Sequence, residues 1–201
     1  MLDGMLKRRI DPLLVRMAAG LRHTGLSANA VTTLGLCLGL AAALAIALES
    51  FWPGLALILV SRLCDGLDGA LARLRRPTDL GGYLDIVFDY IFYGAIPLGF
   101  AFADPAANAL PAAVLLMSFY ANGASFLGFA IIAAKRGLTT EARGQKSLYF
   151  TTGLAEASET LFVFALACLS PAWFPWLAYG FAALCVVTTA SRIALAIRLF
   201  R

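Results

Sequence analysis

Residues 65–89 read DGLDGALARLRRPTDLGGYLDIVFD and join two long apolar segments of the chain. Asp65 and Asp68 lie three residues apart near the end of the first segment, and Asp85 and Asp89 lie four apart near the start of the second. On α-helices, both spacings place a pair of side chains on one face. Because the turn between the segments is short, we expect two antiparallel neighbouring helices whose four carboxylates converge.

The composition of the whole chain predicts a membrane protein. Of its 201 residues, 61% are hydrophobic and 14% are charged, and the mean hydropathy is +0.82. Soluble domains carry about 25% charged residues, so this many apolar side chains cannot be hidden in one soluble core. A helical bundle surrounded by lipid accommodates them.

The hydrophobic pattern predicts an all-α fold: a polytopic membrane bundle of six transmembrane helices preceded by an N-terminal amphipathic interfacial helix. Residues 2–22 combine apolar and basic positions at helical spacing, which favours a helix on an anionic membrane surface over an ordinary packed surface helix. We treat residues 1–201 as one domain, with the interfacial helix in 1–25 and the six-helix bundle in 29–201. Each predicted span approaches or exceeds the roughly 20 residues that cross the hydrocarbon. The spans are 29–49, 53–74, 80–103, 109–134, 147–170 and 173–198.

The charges between the spans predict the orientation. Basic clusters fall in the segments that lie inside if the N-terminus is cytoplasmic, whereas the outer loops carry only Glu49 and Asp104. This is the positive-inside pattern. We therefore expect an inner-membrane protein, surrounded by membrane lipids, with both termini and the active site on the cytoplasmic side. Topology also explains the basic clusters without nucleic acid.

Four carboxylates in a partly desolvated site require protons or bound cations, because like charges repel strongly there. Oxygen ligands favour hard ions such as Mg²⁺ or Mn²⁺, and two such ions can stabilise the attacking and leaving oxygens of a phosphoryl transfer. Gly66, Gly69, Gly81 and Gly82 would allow close approach of a ligand or a neighbouring backbone. A single Asp-x-x-Asp pair is usually a solvated helix face, and glycines in membrane helices often serve packing. Ionisable residues inside spans, however, are functional by default.

The stretch resembles the CDP-alcohol phosphotransferase (phosphatidyltransferase) family, whose signature is Asp-x-x-Asp-Gly-x-x-Ala-Arg followed by Gly-x-x-x-Asp-x-x-x-Asp. The matching residues are Asp65, Asp68, Gly69, Ala72 and Arg73 in the first half, and Gly81, Asp85 and Asp89 in the second. Seven residues separate Arg73 from Gly81, one fewer than in the family pattern. Gly82 would restore that count but spoil the distance to Asp85, so we prefer Gly81.

The resemblance implies a metal centre and a reaction. Asp65, Asp68 and Asp85 look like metal ligands, and Asp89 looks like a ligand of a second metal and the candidate general base. The implied cofactors are two divalent ions, Mg²⁺ or Mn²⁺. The implied reaction transfers a phosphoalcohol group from a CDP-alcohol to a second alcohol and releases CMP. Members of the family are commonly homodimers.

The resemblance also implies contacts with the CDP moiety of the donor. The candidate residues are Gly69, Ala72, Arg73, Gly81, Asn29 and Thr32. Asn29 and Thr32 resemble the family's Pro-Asn-x-x-Thr, with Ala28 in place of proline. Capping of the first span by Ser27 or Asn29 explains the same residues equally well. For Arg73, a role in membrane orientation is the alternative.

Two sets of residues point to different acceptors. Lys135, Arg143 and Lys146 form a basic rim that suits a phosphate-bearing acceptor such as glycerol phosphate or inositol phosphate. Glu159, with Glu156, instead suits a cationic or polyhydroxyl acceptor such as serine, ethanolamine or choline. Alternatively, the basic residues serve topology alone, and Glu159 bridges to a neighbouring helix.

The expected donor is CDP-diacylglycerol, because a site between helices at the interface leaves two acyl chains in lipid. A small CDP-alcohol with a lipid acceptor would use the same motif. The rival function is a cation- or proton-coupled transporter, since intramembrane acids are common in transporters. A transporter needs a pathway to the outer side, and the outer halves of the spans carry almost no polar residues.

Overall fold

The computed structural model describes residues 2–21, 25–137 and 157–201, with side chains from residue 11 onward in the first of these ranges. These residues form α-helices and one 3₁₀ turn, and the described part of the chain has no strand. The helices are α1 (Leu2–Leu21), α2 (Ala28–Ala47), α3 (Phe51–Arg75), α4 (Asp79–Ala103), α5 (Pro105–Lys135), α6 (Ala157–Leu169) and α7 (Phe174–Phe200). The all-α prediction is therefore confirmed over the described residues.

Side-chain caps fix where three of the helices begin. The Ser27 hydroxyl accepts a hydrogen bond from the Ala30 amide at the start of α2, and Thr78 does the same for the Gly81 amide at the start of α4. Asp104 caps α5 through the Ala107 amide, and Pro105 takes the first helical position. Because proline is well suited to that position, α5 begins four residues earlier than the predicted span 109–134.

Four of the helices are long and apolar enough to cross a membrane. They are Ala28–Ala47, Asp79–Ala103, Pro105–Lys135 and the stretch Pro171–Phe200 that contains α7. α3 is 25 residues long but carries charged side chains in its C-terminal half. α6 is shorter, and the rest of the predicted span 147–170 lies outside the described residues. Six spans therefore remain a prediction.

α2, α3 and α4 form the unit that carries the acids. α3 runs antiparallel to α2 and is joined to it by the Ser61 hydroxyl, which donates to the Gly35 carbonyl at 2.7 Å. α2 and α4 cross closely at Gly99, where an added Cβ would lie 2.5 Å from the Ala43 carbonyl oxygen. Only glycine fits that crossing. The short link at residues 76–78 then places the C-terminal half of α3 beside the start of α4.

The buried core fills the opposite end of this unit with aromatic rings. Phe100 stacks on Phe174 with 4.4 Å between ring centroids and on Phe51 with 5.9 Å. Phe100 and Phe174 are fully buried. The polar half of the unit and its aromatic half are therefore separated along the helix axes.

α1 packs against the polar end of α3. Leu14 and Ala18 are buried in a small cluster with Leu67, Ala70 and Leu71 of α3. Residues 2–21 form a helix, and an amphipathic helix on the membrane surface remains a prediction.

Candidate active site

A cleft of about 900 Å³ opens at the polar end of the bundle, between α1, α2, α3, α4 and the start of α6. Ten residues of the sequence prediction line it. They are Asn29, Thr32, Asp65, Asp68, Gly69, Ala72, Arg73, Gly81, Asp85 and Asp89. The structure therefore brings together in one cleft all the residues predicted to bind the metal ions and the CDP moiety of the donor.

Three carboxylates converge closely enough to share a cation. Asp65, Asp68 and Asp85 each offer an oxygen, and these oxygens all lie within 4.8 Å of one another. Two ionised carboxylates at that distance repel by roughly 3 to 4 kcal/mol at an effective dielectric constant of 20. Pairs that include Asp85 repel less, because its side chain is exposed to solvent screening. The spacing prediction for α3 and α4 is confirmed for these three residues.

The buried Asp68 carboxylate provides an independent reason to expect a cation. Asp68 is 5% exposed, and its Oδ2 atom has no hydrogen-bond partner among the described residues. The Thr32 hydroxyl and the Gly69 amide lie near the Asp68 carboxylate, and Thr32 donates its one hydroxyl hydrogen to the Ala28 carbonyl at 3.0 Å. A buried charged oxygen without a partner is costly. An oxygen-only set of this kind fits Mg²⁺ or Mn²⁺.

Asp89 forms an ion pair with Arg62, a residue for which the sequence predicted no role. Arg62 of α3 donates a hydrogen bond to Asp89, with 2.6 Å between Nη1 and Oδ1, and the same Nη1 lies 3.6 Å from Asp65 Oδ1. Arg62 also lines the cleft. A signal was available, because Arg62 interrupts an apolar run three residues before Asp65 and so shares its helix face.

Asn29 and Gly81, both predicted to contact the donor, are neighbours. A Cβ added to Gly81 would lie 3.1 Å from Asn29 Oδ1 and 3.1 Å from Thr78 Oγ1, whereas one added to Gly82 would meet no atom of the described residues within 4 Å. The capping explanation holds for Ser27, whose hydroxyl caps α2. The Asn29 side chain instead lies at the cleft beside the backbone of α4.

Arg73 also lines the cleft and is held by α1. Its Nη2 donates to Asp11 Oδ1 at 2.7 Å, and both side chains are substantially exposed. Among the described residues, only the Arg73 side chain lies near the position of a Cβ at Gly69, at 3.6 Å. Gly66 serves packing, because a Cβ there would lie 2.8 Å from a methyl group of Leu14.

The residues predicted for the acceptor are only partly within the described chain. Arg143 and Lys146 fall outside it. Lys135 ends α5 and is absent from the cleft lining formed by the described residues. Glu159 lies in the first turn of α6, between Ser158 and Leu161, which do line the cleft. Its Oε2 atom is buried without a hydrogen-bond partner in the described part of the chain.

A sequence model described as CDP-alcohol phosphatidyltransferase matches residues 26–194, which is most of the chain and contains the whole cleft apart from the α1 side chains. The chain belongs to the CDP-alcohol phosphatidyltransferase family. The resemblance seen in residues 65–89 therefore extends over residues 26–194, and membership makes this protein a transferase.

Two curated proteins are similar in sequence to this member of the CDP-alcohol phosphatidyltransferase family. Inner membrane protein YnjF of Escherichia coli is 45% identical over 193 residues, covering 96% of this chain and 94% of that protein. The archaetidylinositol phosphate synthase of Methanothermobacter thermautotrophicus is 38% identical over 96 residues, covering 47% of this chain and 46% of that protein.

Solved structures share the fold of this CDP-alcohol phosphatidyltransferase family member. Phosphatidylinositol phosphate synthase of Mycobacterium tuberculosis with CDP-DAG bound aligns with a TM-score of 0.68 at 23% identity, covering 91% of this chain and 92% of that one. The same enzyme in complex with manganese and citrate aligns with a TM-score of 0.69 at 23% identity, covering 90% and 87% respectively.

Proposed function

We propose that this protein is a metal-dependent CDP-alcohol phosphotransferase that moves a phosphatidyl group from CDP-diacylglycerol to the hydroxyl of a small acceptor and releases CMP. One observation carries the proposal. Asp65, Asp68 and Asp85 present oxygens within 4.8 Å of one another, and the buried Asp68 has an oxygen with no partner among the described residues. Such a group calls for a hard cation.

The proposed cofactors are two divalent ions, Mg²⁺ or Mn²⁺. Asp65, Asp68 and Asp85 would hold the first ion, and Asp89 would contribute to the second. When bound, the ions supply positive charge to the oxygens of the phosphoryl group in transfer. The mycobacterial enzyme of the same fold has been solved with manganese, which supports this choice of metal.

The proposed donor contacts lie on two walls of the cleft. Gly69, Ala72 and Arg73 come from α3, and the Arg73 guanidinium suits a diphosphate as a bidentate donor. Asn29 and Gly81 line the same cleft from α2 and α4, and Thr32 lies one turn after Asn29. A nucleotide bound between these walls would place its diphosphate over the carboxylates.

Asp89 is the proposed general base. Its carboxylate would accept the proton of the acceptor hydroxyl. The acceptor oxygen then forms a bond to the β-phosphorus, and the bond between that phosphorus and the oxygen bridging to the α-phosphorus breaks. CMP leaves with the electron pair, and Asp89 later releases its proton to water.

The wall of the cleft supports a lipid donor. Leu59 and Leu63 line the cleft and are 49% and 40% exposed, so this side is apolar and open to the surroundings of the bundle. Acyl chains of CDP-diacylglycerol can remain in lipid there while the nucleotide enters the cleft. The mycobacterial enzyme of the same fold was solved with CDP-DAG bound.

The acceptor is a small alcohol, and two classes fit. Two proteins that share sequence or fold with this chain are named as synthases of inositol phosphate lipids, which favours a phosphate-bearing acceptor near Lys135, Arg143 and Lys146. The buried Glu159 oxygen near the cleft has no hydrogen-bond partner among the described residues, which favours a cationic or polyhydroxyl acceptor. A screen that includes both classes decides between them.

The proposed architecture is one domain over residues 1–201, with an interfacial helix in 1–25 and six spans in 29–201. The active site and both termini face the cytoplasm across the inner membrane, and the protein is a homodimer. The name of the Escherichia coli relative, an inner membrane protein, supports the location. Modification of single added cysteines in intact cells tests the orientation, and crosslinking in membranes tests the dimer.

The experiment that tests the function is CMP release. Purified protein in detergent is incubated with CDP-diacylglycerol, Mg²⁺ or Mn²⁺, and each acceptor in turn. We expect CMP formation that requires both metal and one class of acceptor and that stops on addition of EDTA. Absence of CMP with every donor and acceptor pair would overturn the proposal.

The transporter alternative receives no support from the described helices. The end of the bundle opposite the acids is filled by Phe100, Phe174 and other buried aromatic rings. Metal uptake into proteoliposomes provides the direct test, and we expect none.

A further inference from the structure

Arg62 connects two of the four acids across two helices. Its Nη1 atom lies 2.6 Å from Asp89 Oδ1 on α4 and 3.6 Å from Asp65 Oδ1 on its own helix. One guanidinium therefore holds a positive charge between a member of the three-carboxylate group and the proposed base.

The Arg62 guanidinium is held firmly in this position. Its central carbon lies 3.9 Å from the centroid of the Phe92 ring, which is fully buried, and 5.8 Å from that of Tyr93. Its Nη2 atom is 3.5 Å from Ser61 Oγ, and the side chain is only 14% exposed. A guanidinium stacked on a buried ring and paired with a carboxylate is costly to displace.

This placement divides the acids into two unequal parts. Asp65, Asp68 and Asp85 form the group whose oxygens lie within 4.8 Å, and Asp89 is the acid that Arg62 contacts most closely. Four ionised carboxylates and Arg62 together carry a formal charge of −3. One divalent ion reduces this to −1, so a second ion would arrive at a site that is nearly neutral and already contains a fixed cation.

We infer that Arg62 is a positioning residue that makes the two metal positions unequal. The first ion binds tightly among Asp65, Asp68 and Asp85, and the second binds beside Asp89 much more weakly because Arg62 holds that carboxylate. The inference rests on the proposed function in one respect, namely that the site takes divalent cations. A unit charge about 5 Å from a divalent ion lowers its affinity by about tenfold even at the dielectric constant of water.

Manganese titration followed by electron paramagnetic resonance tests this inference without any turnover. The purified protein in detergent is titrated with Mn²⁺ alone, and free ion is measured at each step. We expect wild type to bind one ion tightly and a second at least about tenfold more weakly. Arg62→Met keeps a long apolar side chain against Phe92 and removes the charge, so its second affinity should rise by about tenfold or more.

Two further variants isolate the charge. Arg62→Lys keeps the charge and should retain the unequal affinities. Arg198→Met removes one positive charge from exposed α7 surface outside the cleft lining and should match wild type. If Arg62→Met does not fold, as judged by size exclusion, Arg62→Gln gives the same comparison.

Equal affinities for two ions in wild type overturn the inference, and so does a second affinity that is unchanged in the neutral Arg62 variants. The CMP assay on the same preparations separates this inference from the proposed function. Unequal ion binding without CMP release would sustain the role of Arg62 and overturn the transferase reaction. CMP release together with equal affinities for the two ions would sustain the transferase reaction and overturn the role of Arg62.

Discussion

The Arg73 guanidinium on α3 donates a hydrogen bond to the Asp11 carboxylate on α1, with 2.7 Å between Nη2 and Oδ1. Both groups line the cleft. Asp11 therefore accepts a hydrogen bond from the guanidinium that the proposed function assigns to the diphosphate of the substrate. A carboxylate and a phosphate oxygen compete for the same guanidinium.

Asp11→Asn should therefore tighten donor binding. Removing the competing charge frees Arg73, and we expect the KM for CDP-diacylglycerol to fall about two- to fivefold, as for a partly exposed ion pair, with kcat little changed. Steady-state kinetics in mixed micelles measure it. Asp79→Asn removes an exposed acid outside the cleft lining and should leave KM unchanged. A higher KM in Asp11→Asn would show that the pair holds Arg73 in its working position.

Asp68→Asn should raise the free energy of unfolding without metal and lower it, relative to wild type, when Mn²⁺ is bound. Without metal, the variant removes a buried negative charge whose oxygen lies within 4.8 Å of oxygens of Asp65 and Asp85, and relief of this repulsion should raise the free energy of unfolding by about 1–3 kcal/mol. With Mn²⁺ at 1,000 times its Kd, wild type gains about 4.1 kcal/mol that the variant lacks. Thermal unfolding in EDTA and in Mn²⁺ measures both effects. A variant that is less stable than wild type in both buffers would contradict this account of Asp68.

Asp89→Asn should abolish turnover while leaving the first metal position intact. The amide cannot accept the acceptor proton, and loss of a general base lowers kcat by about 10²–10⁴-fold. Asp65, Asp68 and Asp85 are unchanged, so one Mn²⁺ should still bind tightly. CMP release and Mn²⁺ titration check the two parts separately. Substantial turnover in this variant would defeat the assignment of Asp89 as base.

Gly81→Ala and Gly82→Ala form a matched pair on adjacent residues. A Cβ at Gly81 would lie 3.1 Å from Asn29 Oδ1, whereas one at Gly82 would lie more than 4 Å from every atom in the described part of the chain. We expect Gly81→Ala to displace Asn29 and raise the KM for the donor about tenfold, equivalent to about 1.4 kcal/mol. Gly82→Ala should change KM less than about twofold on the same scale. The opposite order would make Gly82 the glycine of the family signature.

Gly99→Ala should destabilise the bundle. The new methyl group would lie 2.5 Å from the Ala43 carbonyl oxygen, which belongs to backbone and cannot rotate away. Overpacking of this kind costs about 1–3 kcal/mol, visible as a lower Tm in detergent. Gly180→Ala places its methyl group in open space on α7 and should be neutral or slightly stabilising. Equal Tm values for the two variants would mean that α2 and α4 are further apart than the structure shows.

The helices and the meeting of the acids could be predicted from sequence because both depend on local order. Hydrophobic periodicity marks the apolar segments, and spacings of three and four residues determine which side chains share a helix face. The short link after Arg75 leaves α3 and α4 little choice but to pack as neighbours. The convergence of Asp65, Asp68 and Asp85 follows from these facts alone.

The partners of the two arginines in the cleft could not be predicted, because these contacts join segments that are distant in sequence. Arg62 pairs with Asp89, 27 positions away, and Arg73 with Asp11, 62 positions away. Gly66 was predicted, with Gly69, Gly81 and Gly82, to allow close approach near the acids, and it accommodates Leu14 of α1. No periodicity distinguishes a glycine that faces a ligand from one that faces a helix, because the choice depends on where α1 packs.

The three-residue link at 76–78 between α3 and α4 also bears on biosynthesis. α3 contains five charged residues within its 25 positions and would be poorly retained as an isolated segment during translocon insertion. α4 follows at once and is apolar enough to cross, so we expect the two helices to enter the bilayer together as a helical hairpin. The carboxylates would then meet early, while the later helices are still being synthesised.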